Sequence, residues 1–109
     1  MIKVKIETNK TRTISLEVSG HSNYKEKGED IICAGVSAIV IGGFNALINE
    51  TKQDIDYECK DGYARVFVKN LNNDNIQKII EVITTQLYTI EESYPKFIKI
   101  NEIGGQVWF

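Results

Sequence analysis

Few residues in this chain can act as a nucleophile or as a base near neutral pH. There is one histidine, His21, and there are two cysteines, Cys33 and Cys59. His21 and Cys33 stand twelve positions apart within the stretch GHSNYKEKGEDIICAGVS, from Gly20 to Ser37. A thiolate is a strong nucleophile, and an imidazole can take a thiol's proton and later return it to a leaving amine. The two side chains would therefore suffice for covalent catalysis if the fold brings them together.

What must position them is a loop and a helix. Asp30 is a favourable N-cap, and the sequence from Ile31 to about Glu50 is apolar nearly all round, so a buried helix is expected there. This start places Cys33 in the first turn, where the positive end of the helix dipole favours a thiolate and unpaired N–H groups can bind a developing oxyanion. The segment from Gly20 to Asp30 has two glycines, Gly20 and Gly28, and a run of charges without periodicity, which reads as a loop able to fold His21 back onto Cys33. Asp30 can orient the imidazole, cap the helix, or do both. The plainer readings stand beside this one: a cysteine in an apolar helix is usually a small core residue, and a histidine in a polar loop is usually just solvated. Cys59 shares one strand face with Ile55 and Tyr57 and is expected in the core, so an alkylating reagent is expected to reach Cys33 faster.

The remaining elements follow from periodicity. Ile2, Val4 and Ile6 alternate with Lys3, Lys5 and Glu7, and Ile14, Leu16 and Val18 alternate with Ser15, Glu17 and Ser19, giving two half-buried strands around a turn at Asn9 to Arg12. Ile55 to Cys59 and Tyr63 to Lys69 form a second hairpin about Lys60 to Gly62. Asn72 to Asp74 offer N-caps for a helix whose Ile76, Ile79, Ile80, Ile83, Leu87 and Ile90 fall on one face, and Pro95 ends it. Phe97 to Ile103 reads as a last strand, with GGQVWF as a tail. The order strand-strand-helix-strand-strand-helix-strand predicts an α+β two-layer sandwich, a mostly antiparallel sheet with both helices on one face, in a single domain over residues 1–109.

Composition narrows the function classes. With 13 basic and 15 acidic residues scattered along the chain, the net charge is −2, and no basic stripe offers a nucleic-acid surface. The apolar run Ile31 to Phe44 is shorter than the roughly 20 residues of a membrane span, and the N-terminus alternates rather than forming a signal sequence. A soluble, cytoplasmic protein is expected, with both cysteines as thiols. One histidine and two distant cysteines are too few soft ligands for zinc, and no metal or other cofactor is expected. The long helix is apolar on more faces than one sheet can cover, and Gly42 and Gly43 permit close packing, so a homodimer is expected.

The stretch GHSNYKEKGEDIICAGVSAI resembles the signature of a small bacterial family, the ribosomal-processing cysteine proteases called Prp. There a Gly-His pair precedes a loop, and an Asp, two apolar residues, a Cys, two small residues, a Val and a Ser follow. The helix ending in SYPKFIKI resembles the family's usual C-terminal part, so nearly the whole chain is covered. The resemblance implies a catalytic dyad of His21 and Cys33, with Asp30 and Ser37 in supporting roles beside Gly20; the glycines and charges of the loop, Gly28 among them, let it close over the substrate, with Tyr24 a candidate contact. It also implies a homodimeric endopeptidase whose partner is the N-terminal extension of large-subunit ribosomal protein twenty-seven, which it removes. Two other functions compete. A non-catalytic RNA-binding or ribosome-associated module is opposed by the acidic balance. A thiol redox protein is opposed by the lack of a CxxC motif, and a Cys33 to Cys59 disulfide in the folded protein would support it.

Overall fold

The computed structural model describes residues 1–20 and 27–104. Five strands and two helices follow one another as β1 (Ile2–Asn9), β2 (Arg12–Ser19), α1 (Lys27–Thr51), β3 (Ile55–Lys60), β4 (Tyr63–Val68), α2 (Asp74–Ser93) and β5 (Ile98–Ile103), with a short 3₁₀ turn at Lys52–Asp54. The strands form one sheet in the order β3-β4-β2-β1-β5, antiparallel throughout except where β5 runs parallel to β1. The α+β sandwich and its element order are those expected from the alternating and helical periodicities.

Strand alternation decides the layers. Val4, Ile6, Leu16, Val18, Ala64, Val66, Val68, Ile98 and Ile100 all turn to one side and are buried there, in one cluster with Ile32, Val36, Val40, Phe44 and Leu47 of α1 and Ile76, Ile80, Ile83 and Leu87 of α2. The opposite sheet face carries Lys5, Glu17, Arg65 and Glu58 in one row across β1, β2, β4 and β3, alternating in sign as solvated cross-strand neighbours should. Ile79 and Ile90, expected on the inner face of α2, pack against the edge of the cluster rather than inside it.

Three expectations change. Helix α1 starts at Lys27, so the stretch from Lys27 to Asp30 is helical rather than loop, and Asp30 is the fourth residue of the helix rather than its cap. Helix α1 is also buried on one side only. Its other side leaves Ile31 at 68% and Ile41 at 51% exposure, with Ala34, Ala38, Gly42 and Ala46 exposed between and beyond them. The segment Ile31–Asp54 is long and apolar enough to cross a membrane by length and composition, so run length alone does not set it apart from a span. Its inner side supplies Phe44 and Leu47 to the domain core. Finally, Cys59 is exposed and is not a core residue. The register Tyr57↔Val66 and Cys59↔Ala64 puts both on the helix-facing side, as alternation requires, but β3 is the edge strand and its side chains there stay exposed.

Between the layers, Asn73 joins three pieces. Its side-chain Oδ1 accepts the Ile76 N–H at 3.0 Å as the N-cap of α2, and its Nδ2 donates to Asp54 Oδ2 at 2.8 Å in the 3₁₀ turn that follows α1. Asn73→Ala is expected to cost about 1–2 kcal/mol, since a cap and a charge-assisted bond are lost together. Urea unfolding should show a lower midpoint at an unchanged slope, and a midpoint equal to that of the parent would refute the cap's contribution.

Candidate active site

Helix α1 presents Cys33, Val36, Ser37, Val40 and Ile41 along one face, at the i, i+3, i+4, i+7, i+8 spacing of a helical stripe. They form one wall of a pocket of about 140 Å³. The facing wall comes from Ile2, Val18 and Gly20 of the first hairpin and from Cys59, Lys60, Asp61, Gly62, Tyr63 and Ala64 of the second. Cys33 is half-buried and packs against the core, while Ser37, one turn further on, is exposed at the rim.

Gly20 is fixed here by its backbone. Its φ is +89°, a left-handed conformation that side chains other than glycine's adopt rarely, and an added Cβ would stand 2.6 Å from the carbonyl oxygen of Met1. The Gly20 N–H donates to the Gly62 carbonyl at 2.9 Å, tying the end of β2 to the β3–β4 turn. That turn is an Asp-Gly pair, and its positive φ of 72° falls on Gly62, where glycine adopts it without strain. The residue that directly precedes His21 in the chain is therefore anchored on the wall facing Cys33. His21 itself and Tyr24 lie outside the described residues, as does the side chain of Asp30; the backbones of Gly28 and Asp30 are helical.

The longer helix alters the chemistry expected at Cys33. It is the seventh residue of α1, beyond the first turn. The N–H groups without intrahelical partners are those at the start of the first turn, and the influence of the dipole falls off within that turn. Activation of the thiol and binding of an oxyanion therefore need groups other than the start of α1. The alkylation order also loses its premise, because Cys59 is the more exposed thiol. Accessibility now favours Cys59, and faster labelling of Cys33 would report chemical activation specifically.

The facing wall was not legible as part of a site. Asp61-Gly62 is readable as a turn, but only the pairing of β4 with β2 carries it to Cys33. The Tyr63 side chain turns to the opposite sheet face, where its hydroxyl donates to Glu17 at 3.2 Å, and burial together with that carboxylate raises the phenol's pKa above its usual value. It is no base for this pocket.

A family model described as cysteine protease Prp matches residues 1–99, the whole of the described pocket included. The chain belongs to the Prp cysteine protease family. The ribosomal processing cysteine protease Prp of Staphylococcus aureus is 36% identical over 104 residues, which are 93% of this chain and 98% of that protein. Two crystal structures of the essential S. aureus Prp resemble the fold closely. The one with a substrate peptide has a TM-score of 0.85 at 34% identity, and the one with a covalently linked product peptide has 0.84 at 35%. Each covers 94% of this chain and 99% of its own. The chain is accordingly a cysteine protease of the ribosomal-processing type, in agreement with the resemblance carried by Gly20 to Ser37.

Proposed function

We propose that this Prp family member removes the N-terminal extension of large-subunit ribosomal protein twenty-seven, with Cys33 as nucleophile and His21 as base. The observation that carries this reading is the shared pocket: Cys33 lies on one wall, and Gly20, the neighbour of His21, is pinned to the other by its bond to Gly62. The covalently linked peptide in the S. aureus relative accords with nucleophilic catalysis. In the reaction the Cys33 thiolate attacks the scissile carbonyl, and the tetrahedral intermediate collapses as the imidazolium protonates the departing amine. Water activated by the same imidazole then releases the acyl group from Cys33. Ser37 at the rim and Asp30 in the first turn of α1 are the supporting residues. His21→Ala should lower kcat for a peptide spanning the cleavage site by about 10³-fold or more, by analogy with removal of a general base from a nucleophile–base pair. Turnover near the parent level in that variant would refute the dyad.

The active form is a homodimer in this reading. An apolar groove of about 510 Å³ runs between the helices, lined by Ala38, Ile39, Gly42 and Ala46 of α1 and by Ile79 and Val82 of α2. Gly43 in its floor brings the helices together, since a Cβ there would run into the Ile83 side chain. A second copy would cover this groove and the exposed side of α1. Val82→Glu buries a charge in such an interface and should shift the protein from dimer to monomer in sedimentation at micromolar concentration. A parent protein that sediments only as monomer would contradict the assignment.

A further inference from the structure

We infer that Cys59 is a resolving thiol for Cys33, making the pocket a reversible redox switch; this rests on Cys33 being the nucleophile. Both cysteines line the one pocket of about 140 Å³, and neither is in a disulfide. They come from different layers. Cys33 reaches down from α1, whereas Cys59 stands on the helix-facing side of β3, opposite Ala64, which also lines the pocket. The edge position of β3 leaves Cys59 exposed, so a small oxidant has access to the site, and peptide cleavage itself has no use for a second thiol there.

The chemistry needs a peroxide as oxidant. The Cys33 thiolate attacks one peroxide oxygen, the O–O bond breaks, and Cys33 becomes a sulfenic acid while hydroxide leaves and is protonated to water. The Cys59 thiolate then attacks the Cys33 sulfur. An S–S bond forms, the S–O bond breaks, and the departing oxygen leaves as water after taking up a proton. Two thiols have lost two electrons and one peroxide has become two waters. The disulfide occupies the nucleophile, which stops proteolysis, and it bars the irreversible step to sulfinic acid. A dithiol reductant restores the enzyme by exchange.

The test treats the full chain with a small excess of hydrogen peroxide and follows intact mass, peptide mapping and cleavage of a substrate peptide. The expected product is a chain about 2 Da lighter with no interchain disulfide, with Cys33 linked to Cys59, an activity reduced about tenfold or more, and full recovery with dithiothreitol. Cys59→Ser, compared with its own untreated activity, should instead gain about 32 Da at Cys33 and stay inactive after reduction. The inference is overturned if the parent protein takes up oxygen at Cys33 while Cys59 remains alkylatable, or if the only disulfide formed links two chains. These failures leave the dyad intact so long as Cys33→Ala is inactive. If the Cys33–Cys59 bond forms and cleavage continues undiminished, the nucleophile is misassigned and the switch falls with it.

Discussion

Cys33→Ala is expected to abolish processing while leaving the domain folded. With Cys33 as the proposed nucleophile, its loss removes both the attack and the covalent intermediate, and such deletions lower kcat by about 10⁴-fold or more. The structural cost is small by comparison. Cys33 is only half-buried, and the replacement removes one sulfur at the edge of the core, an effect of about 1 kcal/mol or less. Activity and stability are thus separable at this position. The urea midpoint should stay near that of the parent while cleavage disappears, and Cys33→Ser should behave alike because a serine hydroxyl is not ionised at neutral pH. A variant that unfolds would make the loss of activity uninformative, so both measurements belong together.

Phe44→Ala is expected to act in the opposite way. Phe44 is on the same helix, 4% exposed, in the cluster that joins α1 to the sheet and α2. Truncating a buried phenylalanine costs about 3–5 kcal/mol, through lost burial and the cavity left behind. Against a total stability of about 5–15 kcal/mol, that makes the domain marginal. The variant should still cleave substrate at low temperature, since Phe44 does not line the pocket, but lose activity steeply on warming. A destabilisation under about 1 kcal/mol would mean that α1 does not anchor the core as described.

How far the sequence could be read depends on the element. The strands β1 and β4 were legible because each buries one face fully, and β2 because Leu16 and Val18 do so although Ile14 is only partly buried, and period-two alternation reports that directly. The second helix was legible from its narrow apolar stripe and from Asn73, whose capping bond is present. The start of α1 was not. Acidic residues favour both the cap and the first turn, so Glu29 and Asp30 mark the neighbourhood of a helix start without fixing the residue, and Gly28 argues against a helix that nevertheless includes it. The consequence was a thiol placed in the first turn that belongs to the second. Cys59 shows a different limit. Alternation gave its side of the sheet correctly, but burial depends on what lies above that side, and only the strand order makes β3 an edge. For the same reason the facing wall of the pocket, assembled from two hairpins far apart in sequence, had no local signal. The pair His21 and Cys33 was singled out by residue type and spacing, and the wider pattern around it named the family.

The most direct measurement is the mass of the unprocessed ribosomal protein after incubation with the purified chain. The parent protein should make one N-terminal cut that releases the extension, and the substrate should stay intact with Cys33→Ala at the same concentration and time. An uncut substrate with the folded parent protein, or the same cut made by Cys33→Ala, would overturn Cys33 as the nucleophile of this processing.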